Sequence, residues 1–283
     1  MINEICTLFR ETLPDIRRNE EKVLEILADK NNHIITFTQN RQISGVSVIN
    51  QNTIYLLCVA EHAQNKGIGT FLLEQSEKHI ADSGFSTIKL GAGKEYIMPG
   101  VPMNNGAHEF FKKRGYSHAW GDECCFDMSQ SLSEFAYRQH AIGDTIDGVT
   151  YRWATRRDPG NVILCVRNAE ESFVEYYLDR DLYEKGNDIS VLVAEINGEI
   201  IGTLQVCTET EGKGVGSVGC TTTMHKHRGK GIASTMVRLG TKHLKNLGMD
   251  IAFLGYTYTA ILNIYRRSGY EICMEYFMGE KNV

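Results

Sequence analysis

The chain has 283 residues, 42% of them hydrophobic and 23% charged, with a net charge of −5. That is the balance of a soluble globular protein with one large or two ordinary domains, and the acidic excess argues against a nucleic-acid partner, which calls for clustered basic residues. No apolar run approaches the ~20 residues that span a bilayer. The start MINEICTLFRETLPD lacks the basic and apolar regions of a signal peptide.

No membrane partner and a cytoplasmic location are therefore expected. The eight cysteines include no C-x-x-C pair, and several sit in strand-like runs such as IYLLCVA. There a reduced thiol behaves as a small core residue, so no metal site is expected.

In chain order, residues 3–30 read as a helical region bent at Pro14. HIITFTQNRQISGVSV at 33–48 reads as a hairpin, and TIYLLCV at 53–59 as a third strand. A glycine loop then opens an amphipathic helix over 66–82, with Ile68, Leu72 and Ile80 on its apolar face. A strand ends at Leu90, GAGKEYIMPGVPMNN forms a loop, and a short helix ends at Gly115.

The pattern then recurs. VTYRWAT at 149–155 is an opening strand with no counterpart in the first half. It is followed by a helical region over 159–186, a hairpin at 191–206, a strand at 216–223, a helix over 230–246, a strand ending at Leu254 and a helix ending at Gly269.

The recurrence is a tandem duplication. Lys66-Gly67-Ile68 aligns with Lys230-Gly231-Ile232, Lys78-His79 with Lys242-His243, and Leu90-Gly91 with Leu254-Gly255, all at one offset. Gly115-Tyr116 aligns with Gly269-Tyr270 once the inserted loop is allowed for. Two α/β (α+β) domains are expected, spanning 1–134 and 149–283 with a linker at 135–148. Each has a mixed, mostly antiparallel sheet flanked by helices.

A strand running into a glycine turn that starts a helix presents unpaired N–H groups at a positive dipole end, a ready site for phosphate. Lys66 and Lys230 add charge, and Thr70 and Ser234 add hydroxyl donors. G-x-x-x-x-G-K-[ST] and G-x-G-x-x-G are both absent, which excludes a Walker loop and argues against a dinucleotide site.

The pattern present is [Q/R]-x-x-G-x-[G/A], as Gln64-Asn65-Lys66-Gly67-Ile68-Gly69 and as Arg228-Gly229-Lys230-Gly231-Ile232-Ala233. With TTTMHK before the second copy, and with Tyr265-Arg-Arg-Ser-Gly269-Tyr270 and Phe111-Lys-Lys-Arg-Gly115-Tyr116 further on, it resembles the GNAT superfamily of acetyl-CoA-dependent N-acyltransferases. The resemblance covers the coenzyme-binding portion of both halves, so that nearly the whole chain resembles two such domains.

That resemblance implies direct attack of an amine, from a small molecule or a peptide, on the thioester of acetyl-CoA. It gives the pyrophosphate to the two loops, Gln64 to Thr70 and Arg228 to Ser234, and the pantetheine arm to Val59 and Thr223. It makes Tyr265 the acid that protonates the departing thiolate. The first half has Phe111 at that position, which cannot donate a proton, yet it keeps the family's Asn104 and Ala107 where the second has Tyr258 and Ile261.

Catalysis is therefore expected in the second half and coenzyme or structural duty in the first. The alternative is an acyl-CoA-binding module without turnover. The base is left open among His225, His227, Glu95, Tyr96 and Glu195, while His79 and His243 read as packing residues.

Overall fold

The computed structural model describes residues 1–92, 96–119, 124–184, 186–208 and 211–283. The first helical region is two helices, α1 (Ile2–Thr12) and α2 (Glu20–Leu27). Leu13 leaves the helical region because Pro14 disfavours helical backbone at the residue before it. Asn19 then caps α2 by accepting from the Glu21 and Lys22 N–H groups.

Strands β1 (His33–Gln39) and β2 (Gln42–Asn50) form the expected hairpin. Asn40 and Arg41 both take positive φ, 50° and 65°, at its turn. There follow β3 (Thr53–Val59), α3 (Ile68–Asp82), β4 (Thr87–Leu90), β5 (Val101–Pro102), α4 (Ala107–Lys112), β6 (Ser117–His118) and β7 (Cys125–Ser131). Helix α3 starts at Ile68, not at residue 66, because Gly67 sits at φ 84°, left-handed backbone that belongs to the loop.

The second half opens with β8 (Thr145–Ile146) and β9 (Val149–Trp153), the expected extra strand. Helix α5 (Pro159–Ala169) covers only part of the helical span expected to reach 186. Beyond it the chain makes short 3-10 helices at Glu171–Tyr177 and Arg180–Tyr183. The cause is tertiary: Tyr177 is buried and donates to the Cys220 carbonyl at 2.6 Å, while Tyr183 Oη donates to the Tyr177 carbonyl. Next come β10 (Ile189–Ile196), β11 (Glu199–Cys207), β12 (Val215–Thr223), α6 (Ile232–Asn246), β13 (Ile251–Tyr258), α7 (Leu262–Arg266), β14 (Glu271–Phe277) and β15 (Gly279–Asn282).

Two compact units result, Met1–Phe126 with Met274–Val283, and Asp127–Cys273. The sheet of the first runs β1-β2-β3-β4-β15-β6, so the last strand of the chain lies between β4 and β6. The other sheet runs β5-β14-β7-β13-β12-β11-β10-β9-β8, with β7 between β14 and β13. In each unit the two parallel neighbours, β3 with β4 and β12 with β13, are joined through the long helix that follows the loop.

Ile54, Leu73, Ile80, Ile88 and Leu90 form one apolar core together with Phe111. Val162, Cys165, Val166, Tyr177 and Val193 form a core of the second unit. Among the described residues no helix is long and apolar enough to cross a membrane.

Candidate functional site

In the second unit β12 and β13 pair only at Val215 with Ile251, Gly216 with Ala252 and Ser217 with Phe253. Beyond those pairs Cys220 and Tyr256 take φ of 46° and 58°, which pulls both strands out of regular pairing. The strands thus open at their carboxyl ends, where α/β sheets hold ligands. Tyr177 anchors the Cys220 bulge through its carbonyl.

Helix α7 packs Tyr265 into this wedge. Its ring is buried, and its Oη donates to Thr221 Oγ1 at 3.2 Å. Burial raises the phenol above its ordinary value of about 10, against a lowering contribution from the Thr221 hydrogen bond. Tyr265 therefore keeps its proton at neutral pH and points it at the strand that leads into the loop.

Both loops are built on one plan. Arg228 Nε donates to the Thr223 carbonyl at 3.0 Å, and Gln64 Nε2 donates to the Val59 carbonyl at the same distance. The first side chain of each loop thus ties it back to the last residue of the preceding strand. Arg228 also reaches the Ala169 carbonyl at the end of α5.

Asn65 and Gly67, like Gly229 and Gly231, sit at positive φ. The helical ladder begins only at Phe71 N to Gly67 O and Thr235 N to Gly231 O. Among the described residues the N–H groups of Asn65 through Thr70, and of Gly229 through Ser234, have no protein partner. They form a concave row of donors at a helix start.

The remaining expected site residues separate by role. Ile68 and Ile232 are buried anchors that contribute backbone only. Gly69 and Ala233 occupy the first turns of their helices, and Lys66 Nζ donates to the His62 carbonyl. Lys230 and Ser234 have no side-chain partner among the described residues, and Thr223 Oγ1 is buried without one. Asn104 donates to Asp15 Oδ2 at 3.1 Å. Thr70 Oγ1 accepts from Arg114 Nη2 at 2.7 Å and keeps its own proton free to donate.

Arg114 is a residue the sequence reading missed. It stands just before Gly115, where the other half has Ser268, and its guanidinium lies 3.8 Å over the Phe110 ring. That arginine-for-serine difference was the available signal.

The base candidates mostly find other employment. Glu195 receives Arg152, which also binds Asp158, so it belongs to an ion network. Tyr96 lies under the Arg18 guanidinium, and Glu95 lies outside the described residues. Both ring nitrogens of His227 are buried without a partner, and burial, then Lys230 and Lys226, hold its pKa below the usual value. His225 is exposed. His79 stacks on His33 and His243 meets Trp153 edge to face, which is packing.

The first unit differs beyond its loop. After Leu90 the chain turns through Gly91 and Ala92 at positive φ, and Ala92 N donates to the Met98 carbonyl. Ile97, Met98 and Val101 are buried in the returning segment. A cavity of only about 60 Å³ remains, lined by Ile54, Leu56, Leu90, Met98, Val101 and Phe111. Phe111 there is part of the apolar core.

Two compact α/β units, each with an N–H-lined loop between a strand and a helix, define a duplicated α/β scaffold. Family models agree. The acetyltransferase (GNAT) family matches residues 150–270, and an acetyltransferase (GNAT) domain matches residues 9–131. The chain belongs to the GNAT acetyltransferase family and carries two of its domains in tandem.

No curated protein matches the sequence. Among solved structures the chain is similar to a GCN5-related glucosamine N-acetyltransferase region of a fungal multi-domain GH3 beta-N-acetylglucosaminidase, at 19% identity and TM-score 0.81. That match covers 99% of this chain and 37% of the other, so this chain spans little more than a third of that protein. A GCN5-related N-acetyltransferase from Sphaerobacter thermophilus matches at 16% identity and TM-score 0.72, over 99% and 91% of the two chains. A tandem GNAT protein from the clavulanic acid biosynthesis pathway matches at 12% identity and TM-score 0.70, over 99% and 94%.

Proposed function

We propose that the protein transfers an acetyl group from acetyl-CoA directly to a primary amine of a small molecule or peptide, with the chemistry in the second unit. The observation that carries this reading is Tyr265, buried in the strand wedge with its Oη at 3.2 Å from Thr221, where the first unit has core Phe111. Bound there, the coenzyme supplies a thioester-activated acetyl group.

The residues present fit that group. The unpartnered N–H row of Gly229 to Ser234, the Ser234 hydroxyl and the Lys230 ammonium would hold its phosphates. The orphaned Thr223 Oγ1, beside the carbonyl tied to Arg228, would hold its amide-bearing arm. Tyr265 holds a proton at Oη at neutral pH and gives it to the leaving sulfur.

In the first unit Lys66, Thr70 and Arg114 support phosphate binding, while Phe111 and the closed segment after Leu90 argue for binding without turnover. None of the described cysteines is in a disulfide, which suits the reducing cytoplasm.

The test is an acetylation screen with free-thiol detection over polyamines, amino acids, peptides and amino sugars, glucosamine included because one structural neighbour is described as acting on it. Acetyl transfer by the wild type that Tyr265→Phe leaves undiminished would remove Tyr265 from the reaction. Thiol release with no amine above the hydrolytic background would favour the binding-module alternative.

A further inference from the structure

We infer that the β1 edge of the first unit is the seat of a second copy of this chain, which adds its own β1 antiparallel across a two-fold axis. The duplication makes the vacancy visible. In the second unit β9 pairs β10 at Trp153 with Leu192, Arg152 with Val193, Tyr151 with Ala194 and Thr150 with Glu195. The matching first-unit residues, Ile35 to Thr38, are paired by β2 on one side and by no strand among the described residues on the other. Leu192, Val193 and Ala194 are wholly buried, whereas no residue of β1 is.

The flanking helix repeats the contrast. On α6, His243 takes the edge of Trp153, and Tyr151 of the same strand is buried. On α3 Phe71 is 42% exposed, meeting the Phe37 ring edge to face, and the corresponding His79 stacks on His33 of β1 itself. An open groove of about 480 Å³ remains there, lined by His33, Ile35, Phe71, Gln75, Lys78 and Asp82.

Proteins guard free sheet edges by keeping them short, charged or interrupted by proline. The other edges obey this: β6, β5 and β8 are two residues each, and β5 contains Pro102. Strand β1 runs seven residues, HIITFTQ, with no Lys, Arg, Asp, Glu or Pro.

A second copy suits it because the strand is self-complementary. Centred on Thr36, antiparallel pairing sets Ile35 against Phe37, Ile34 against Thr38 and His33 against Gln39, which joins β-branched to aromatic residues on the face toward Phe71. The ends bring opposite charges together as well. Asp82 lies in the groove beside His33 in an ion pair with Lys78, and the exposed Arg41, without a partner among the described residues, follows Gln39 of the other copy and adds a second cation to that carboxylate. Two-fold symmetry forms that contact twice. A stable dimer needs about 800 Å² from each partner, so the strand edge and the groove with Phe71 are buried together.

Sedimentation velocity of the full chain over a concentration series tests this. Wild type is expected to shift to twice the monomer mass. Thr36 is exposed, so Thr36→Lys and Thr36→Glu leave the fold intact by circular dichroism. Each sets like charges opposite one another at the axis and weakens the dimer about tenfold. An equimolar mixture of the two variants is expected to recover the dimer. A wild type that stays monomeric overturns the inference. So does a dimer unaffected by both substitutions, or a mixture that stays monomeric.

Discussion

The loops at 64–70 and 228–234 hold their N–H donors in the same way, yet the segments that follow them part company. In the second unit β13 runs on through Tyr258 into α7 and brings Tyr265 to Thr221. In the first unit β4 stops at Leu90, the chain folds back on itself, and Phe111 sits in the core. A duplicated scaffold can therefore keep the N–H-lined loop, which is local backbone, while the residue brought back by the following helix changes from Tyr265 to Phe111. The losses are not symmetrical, since the first unit has gained Arg114 against Thr70.

The largest expected effect is kinetic. Tyr265→Phe should lower kcat about a hundredfold with acetyl-CoA affinity, by calorimetry, unchanged. Phe111→Tyr should restore nothing. It buries a hydroxyl in an apolar cluster and should cost about 1–3 kcal/mol in chemical denaturation. Turnover gained by Phe111→Tyr would break the comparison.

Next is the Arg152–Asp158–Glu195 network, which hangs on β9 and has no counterpart among the described residues of the first unit. Arg152 hydrogen bonds hold the Asp158 carboxyl down to about 2, with Thr155 assisting. A carboxylate whose folded pKa is depressed contributes its stability above the ordinary value near 4 and loses it as pH falls toward 2. The wild type should therefore lose about 2 kcal/mol over that window. Asp158→Asn should flatten the profile and lower the melting of the second unit alone, read by differential scanning calorimetry.

Smaller is the cost of a β-branched residue at the left-handed glycines. A Cβ at Gly67 or Gly231 meets nothing within 4 Å, so the penalty is backbone strain at φ 84° or 78°, about 1–2 kcal/mol. Gly67→Val and Gly231→Val should each weaken coenzyme binding at one unit about tenfold. Titration of both variants counts the sites, and unchanged stoichiometry with Gly67→Val would show that the first loop binds nothing.

Smallest is Asn65→Gly, which imports the residue of the second loop into the first. Asparagine already tolerates φ 58° there, so binding should be unchanged and melting should move by less than about 1 kcal/mol.

Much of this was legible in the chain itself. The hairpins, the opening strand β9, the loop–helix junctions and the packing roles of His79 and His243 all follow from short-range patterns. The helical span to 186 was misread because Tyr177 and Tyr183 take their conformation from hydrogen bonds within the folded unit, one of them to Cys220 forty-three residues away. Arg114 was passed over because its partner Thr70 is forty-four residues distant. Glu195 looked available as a base until Arg152, from another strand, was seen to occupy it.

By itself the sequence determined that the protein is a duplication, that each copy carries a phosphate-type loop, and that one copy alone has a tyrosine at the closing motif. These are matters of residue identity and backbone preference within a few positions. Tertiary structure alone decided that β15 completes the first sheet and that β7 enters the second, that the segment after Leu90 closes the first wedge, and that β1 ends its sheet as a long uncharged edge. Strand neighbours are chosen by hydrogen bonding and burial between segments far apart in sequence, and no local pattern records that choice.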